Sequence, residues 1–383
     1  MKTFSWKTLP ATLLIAAPWS QAMADGAASD LKVGASIRAD LHFEHSSDKG
    51  KTANGKVVTD NKEKSRKHFG LDFAELAVSG KVTEKASYAF KLGLDKKIGA
   101  GASLFASRAL LNYKISDMHC IEMGYDGPLA GGLENDADTS KVYHYTLANS
   151  TLPGKNAMAR YKFHLDQSYA GLELVNHSNP MSGGHNDTNN QQFPTVGVFW
   201  FGSHDLGGIG LASNLSYHMT NYQEQKGSPT GVADHKSLKE DFFSFAVRPT
   251  FLDNTAEVEL GYLMNRSKSK ATSAAKEVED SVSSFYLGLG YTAMDMVKVF
   301  TKHEMSQVKM NKEKYKSRMA NTFGAEFYPE GQKAFNIHLV YKAMQDKFEQ
   351  AGTFKDAAGL DIARAKDDKA GSGELLLGFG ATI

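Results

Sequence analysis

Along most of the chain apolar and polar residues alternate one by one. Leu31, Val33, Ala35, Ile37, Ala39, Leu41 and Phe43 interleave with Lys32, Gly34, Ser36, Arg38, Asp40, His42 and Glu44. Successive side chains of a β-strand point to opposite faces, so this spacing predicts a strand with one apolar and one polar face. The pattern returns at Ala256, Val258, Leu260, Tyr262 and Met264, and again at Phe285, Leu287, Leu289 and Tyr291. The chain ends on it, in Leu375, Leu377, Phe379, Ala381 and Ile383. Helical periodicity is rare. About sixteen strands are predicted, near 31–44, 69–82, 86–95, 107–116, 119–126, 157–165, 168–176, 194–201, 208–221, 242–251, 255–265, 282–292, 296–305, 315–328, 334–344 and 374–383. Several have the roughly 9–11 residues that a tilted strand needs to cross a bilayer.

The connections between these strands sort by parity. Long ones are expected near 45–68, 96–106, 127–156, 177–193, 222–241, 266–281, 306–314 and 345–373, with short turns between them. A soluble sandwich has no reason to alternate its loop lengths. A transmembrane barrel does, because its periplasmic turns are short and its extracellular loops long. The expected fold is therefore all-β: a transmembrane antiparallel β-barrel of about sixteen strands over 25–383, with both termini on the periplasmic side. A secreted β-sandwich or β-helix is the alternative.

Composition agrees with a barrel. The 383 residues carry 44 Lys+Arg against 43 Asp+Glu, a formal charge of +1, with 41% hydrophobic residues and a mean hydropathy of −0.39. Only the outward half of each strand must be apolar, so a negative mean is compatible with an integral membrane protein. No apolar run approaches the roughly 18 residues of a membrane-spanning helix, and no basic excess marks a nucleic-acid binder. Lys2 and Lys7, the apolar stretch 9–17 and the Ala22-Met23-Ala24 cleavage pattern make 1–24 a signal peptide. Export to the bacterial outer membrane is the expected destination. The single cysteine, Cys120, excludes an internal disulfide and reads as a small buried residue.

The segment 73–95 (FAELAVSGKVTEKASYAFKLGLD) pairs a small-residue stretch with an aromatic and charged one across a tight turn. It resembles the early hairpin of the phosphate-selective porin group. The pattern over nearly the whole mature chain resembles a Gram-negative trimeric porin. The last strand, with Phe379 in its apolar series, resembles the signal read by the barrel-assembly machinery, although it ends in Ile383 where an aromatic is usual. The resemblance implies a homotrimer set in outer-membrane lipid and lipopolysaccharide, passing small hydrophilic solutes and ions, with no cofactor and no nucleic-acid partner.

In sixteen-stranded porins a loop at the place of 127–156 folds into the pore. Here it holds Glu134, Asp136 and Asp138, followed by Lys141, Tyr143, His144 and Tyr145. Acids projecting inward would face wall cations across the lumen and set up a transverse field. By strand parity those cations include Arg38, Arg108, Arg160 and Lys162. Inward cations slightly outnumber inward acids, so a weak anion preference is possible. The first long loop is basic, and Lys62, Lys64, Arg66 and Lys67 are candidates for contacts with lipopolysaccharide phosphates.

Catalytic readings fail on geometry. In Asn176-His177-Ser178-Asn179 the His and Ser are adjacent, so on a strand they point to opposite faces. No H-E-x-x-H motif occurs, and Glu134 to Thr139 lacks the Gly and distal Glu of an EF-hand loop. No catalytic residue or metal ligand is assigned. The expected function is a passive diffusion channel. The alternative is a non-conducting surface barrel, an adhesin or a lipopolysaccharide-interacting protein.

Overall fold

The computed structural model describes residues 31–49, 64–97, 101–136, 142–152, 155–176, 194–223, 237–270, 277–329, 334–350, 352–355, 361–364 and 367–382. The expected signal peptide at 1–24, Lys62, Asp138 and the His177-Ser178 pair lie outside them.

The alternating sequence forms long strands: β1 (Lys32–Lys49), β2 (Lys64–Lys81), β3 (Ala86–Lys97), β4 (Gly101–Lys114), β5 (His119–Asp126), β6 (Asn156–Leu165), β7 (Ser168–Val175) and β8 (Thr195–Asp205). They continue with β9 (Gly210–Gln223), β10 (Ser237–Phe251), β11 (Ala256–Lys270), β12 (Val278–Ala293), β13 (Val297–Met310), β14 (Glu313–Phe327) and β15 (Phe335–Phe348). Two short strands, β16 (Gly352–Lys355) and β17 (Asp361–Arg364), make a separate hairpin before β18 (Lys369–Thr382). The other sixteen pair antiparallel with their neighbours, and β18 closes the ring on β1, from Ser36 opposite Thr382 to Lys49 opposite Lys369. Closure pairs every strand on both edges, which is the condition for a sheet to sit in hydrocarbon.

The polarity of the wall is inverted relative to a soluble protein. Leu339, Tyr341, Leu377, Phe323 and Leu289 are among the exposed apolar side chains on the outer surface, whereas Asp40, Glu173, His218, Asn265, Glu304 and His338 are buried on the inner one. Lipid can take the place of water only against the outer set. Tyr113, Tyr291, Phe327 and Phe335 lie exposed near the short turns, where interfacial aromatics form a girdle.

All sixteen expected strands are present, but most run further than the apolar alternation does. Two expected long loops disappear as a result. Pairing of β3 with β4 continues to Lys97 and Gly101, so strand takes up most of 96–106. At 306–314, Met310 pairs with Glu313 across the two-residue turn Asn311-Lys312, whose φ values of 49° and 69° are those of a type I′ hairpin. The reason is physical. Alternation is imposed by lipid, whereas backbone pairing persists beyond it, where both faces can be polar. At the opposite, short-turn end, Asp205 Oδ1 accepts from the backbone N–H groups of Gly207 (3.0 Å) and Gly208 (3.1 Å).

Candidate pore constriction

The described residues of the connection after β5 lie inside the barrel. The connection turns inward at Gly127, forms one helical turn, α1 (Leu133–Asp136), and after 137–141 runs along the inner wall through Val142 to a 3-10 turn at Asn149–Thr151. Its apolar residues have a place to go. Leu147 and Ala148 pack on Leu263, Val282 and Tyr286, an apolar patch on the inner faces of β11 and β12. Gly132, with φ of 69°, passes so close that a Cβ would stand 3.4 Å from the Ala246 Cβ and 3.6 Å from the Tyr286 hydroxyl. That backbone conformation, facing that wall, favours glycine.

Polar contacts tie the segment to strands on both sides of the lumen. At its start the Arg160 guanidinium, 3% exposed as a residue, donates to the Gly127 carbonyl oxygen and to Glu173 (2.6 Å) and Asp126 (3.1 Å). Glu173 Oε1 also accepts from the Leu129 N–H at 2.7 Å. Further along, Arg38 donates to the Val142 carbonyl oxygen at 3.1 Å and lies 5.1 Å from the Tyr143 ring centre. The Tyr143 hydroxyl donates to Glu326 (2.9 Å), and burial beside that carboxylate raises the phenol above its ordinary pKa, keeping the donor protonated. Glu304 accepts from the Leu147 N–H (2.7 Å) and meets His144 Nε2 (2.7 Å), while Ser284 accepts from the Ala148 N–H (2.9 Å). Asn265 donates to the Thr151 carbonyl oxygen at 3.2 Å.

The two arginine clamps share a construction. Glu173 of β7 and His218 of β9 face each other across Gly197 of β8, and their side chains are hydrogen-bonded over it. Asp40 of β1 and His338 of β15 do the same over Gly378 of β18, with Asp40 Oδ1 2.5 Å from His338 Nε2. A Cβ on Gly197 would fall 2.1 Å from the His218 ring, and one on Gly378 2.0 Å from the Asp40 carboxylate. Each glycine therefore lets a carboxylate reach a histidine two strands away while it holds the arginine, since Arg38 Nε stands 3.3 Å from Asp40. Paired in this way, the charges can remain buried.

The residues singled out in the sequence take distinct places. Glu134 is 4% exposed and inside the segment: it accepts from Thr146 Oγ1 (2.9 Å), Asn149 Nδ2 (2.7 Å) and the Lys302 ammonium. Asp136 ends α1, and its side chain is outside the described residues, as Asp138 is entirely. Arg38 and Arg160 brace the segment. Arg108, its side chain 40% exposed, pairs with Asp126 at 3.2 Å, and Lys162 pairs with Glu122 at 2.7 Å. On β2, Lys67 stands 5.8 Å from the outward Phe43 ring and Arg66 is exposed on the neighbouring position, while the Lys64 side chain is outside the described residues.

Inward acids are more numerous than parity suggests. Asp72 and Glu75 are three apart, so strict alternation would separate them. A bulge in the β1–β2 pairing at Arg38/Ala39 brings both inside, Asp72 to His42 (2.9 Å) and Glu75 to Lys91 (2.7 Å). Asp346 and Glu374 join them, bound to Arg318 and Lys342. Cations that parity also leaves out face the same lumen, among them Arg66 opposite Glu44 and Lys316 beside Asp346.

A closed ring of sixteen antiparallel strands, apolar outside and polar inside, with an inward segment after β5, has the architecture of an outer-membrane porin. No protein-family model and no curated protein matches the sequence. Solved structures do match. The anion-selective porin from Comamonas acidovorans is similar with a TM-score of 0.57 at 13% identity, over 92% of this chain and 99% of that one. The outer membrane channel DcaP of Acinetobacter baumannii gives a TM-score of 0.58 at 10% identity, over 92% and 97%. The trimer form of OmpT, an outer membrane protein of Vibrio cholerae, gives 0.56 at 11%, over 92% and 99%. At such identities the likeness is one of fold.

Proposed function

We propose that the chain is a non-enzymatic outer-membrane porin, a passive diffusion channel for small hydrophilic solutes and ions, narrowed by the segment that follows β5. The observation that carries this reading is the span of that segment. It is held by Arg160 on β6 at one end and by Arg38, Glu304 and Ser284 on β1, β13 and β12 further on. A polypeptide braced across a polar lumen narrows it, and the channel's width is then set by side chains that cannot easily move.

Two of the four filter candidates act as braces in this reading, Arg38 and Arg160, and Glu134 pins the segment to the wall. Arg108, with 40% of its side chain accessible, remains for contact with solutes, whereas Lys162, 14% accessible, is held by Glu122. Because wall cations stand beside carboxylates, any ion preference, including the weak anion preference expected from the sequence, is small. Homotrimer assembly follows the trimeric form of a structural neighbour. Export by 1–24, insertion by the barrel-assembly machinery, and contact of Lys67, which stands beside the outward Phe43 ring, with lipopolysaccharide phosphate complete the reading.

Swelling of liposomes carrying the refolded protein, in sugars of increasing size, tests it. Rapid swelling with a monosaccharide that falls off with larger sugars is expected. Absence of swelling by a correctly folded barrel would overturn the channel reading in favour of the non-conducting surface protein.

A further inference from the structure

We propose that the inner wall between β1 and β2 binds a divalent transition-metal cation through the imidazoles of His42 and His68 and the carboxylate of Glu44. His42 and His68 are register partners on the two strands, and Glu44 shares the inner face of β1 with His42. The rings lie 4.4 Å apart and only 4° from parallel. A face-to-face stack is a poor arrangement for two aromatic rings left to themselves. It brings ring nitrogens of both residues close, and a shared cation would be reached by one ring turning out of the stack, because each nitrogen lone pair lies in its own ring plane. Ligand atoms of His42, Glu44 and His68 all fall within 4.8 Å of one another. Metal–ligand bonds of about 2.0–2.2 Å would draw such atoms to roughly 3.3 Å in a tetrahedron, a closure that requires one imidazole to rotate out of the stack.

Two further observations point to a ligand. His68 Nδ1 is buried with no hydrogen-bond partner among the described residues. A nitrogen taken from water in this way is normally satisfied, and a cation would satisfy it. Around the pair stand Asp40, Asp72 and Glu374, against the cations Arg38, Arg66 and Lys342. Asp72 lies 2.9 Å from His42 Nε2 and Glu374 2.6 Å from Nδ1. One of these carboxylates would give its nitrogen to the metal and the other would orient the ring, as acids behind metal-bound histidines do. Asp40, His42 and Asp72 also have ligand atoms within 4.8 Å of one another, which supplies an exchange partner.

Two nitrogens and a carboxylate oxygen suit Zn²⁺, Ni²⁺ or Cu²⁺ rather than the oxygen-seeking Mg²⁺ and Ca²⁺. The site lies on β1 beyond Arg38 toward the long-loop end, so a cation entering from that end meets it before the level of the Val142 brace. Scanning for closely spaced ligands misses it, because only strand pairing brings the two histidines together.

The test is direct binding, which does not depend on conduction. Refolded protein in detergent is titrated calorimetrically with Zn²⁺ at neutral pH, and Cu²⁺ coordination is read by electron paramagnetic resonance. One tight Zn²⁺ per chain is expected, with two-nitrogen coordination of Cu²⁺. In His68→Gln, shown folded by heat-modifiable migration, affinity falls at least about tenfold and one nitrogen is lost. His42→Gln, checked in the same way, should act alike. No Zn²⁺ binding, binding unchanged in both variants, or equal binding of Ca²⁺ that survives the substitutions would overturn the proposal.

Discussion

The Lys302 ammonium on the barrel wall bonds both the Glu134 carboxylate and the His144 carbonyl oxygen (3.0 Å), so one side chain joins two stretches of the inward segment. Lys302→Met keeps the length and removes the charge. Glu134, 4% exposed, would then lose its cation. Breaking a pair of this kind costs about 3–5 kcal/mol, because the remaining charge stays buried. The expected result is a looser segment, with higher single-channel conductance and a larger solute cut-off in liposome swelling. Adding Glu134→Gln should recover part of the stability without restoring the wild-type conductance.

Arg160 holds two carboxylates and the Gly127 carbonyl oxygen at once. Arg160→Ala should lower the temperature at which the barrel unfolds in detergent, by an amount consistent with loss of about 3–5 kcal/mol. Heat-modifiable migration on a gel measures it. Lys162→Ala, whose partner Glu122 also faces Arg160 at 3.5 Å, should have a much smaller effect.

Gly378 and Gly197 are required by what crosses them. A methyl group at either would meet Asp40 or His218 at about half a normal contact distance. Gly378→Ala and Gly197→Ala should each cost ~1–3 kcal/mol or more, the usual penalty for overpacking, and reduce the yield of folded barrel. Gly288→Ala, whose Cβ would have nothing nearer than 3.4 Å, is the control expected to fold normally.

Arg108 and Arg38 separate field from scaffold. Arg108 is the more exposed, with 40% of its side chain accessible against 11% for Arg38. Arg108→Gln should move the reversal potential in a salt gradient toward cations and leave conductance near wild type. Arg38→Gln should instead alter conductance, through release of Val142.

The strands were legible because lipid imposes alternation on them, and the periods at 256–264 and 285–291 fall inside β11 and β12. Where lipid stops, the signal stops too, which is why the 96–106 and 306–314 connections were overestimated. The location of the inward segment could be expected, and its chemistry could not. Glu134 reads as a lumen-facing acid, yet its partner Lys302 is remote in sequence, and nothing local announces the pair. Asp72 was hidden by a bulge that breaks strand parity at a single residue. The histidine braces depend on Gly197 and Gly378, which stand out only once three strands are laid side by side.

Single-channel recording of the refolded wild-type protein in a planar bilayer tests the central claim most directly. An open lumen narrowed by a braced segment predicts stable conductance steps with a small reversal potential in a salt gradient. It also predicts steps of larger size when Lys302→Met is recorded under the same conditions. A silent membrane from protein whose heat-modifiable migration shows a folded barrel would contradict it, as would wild-type and Lys302→Met steps of equal size.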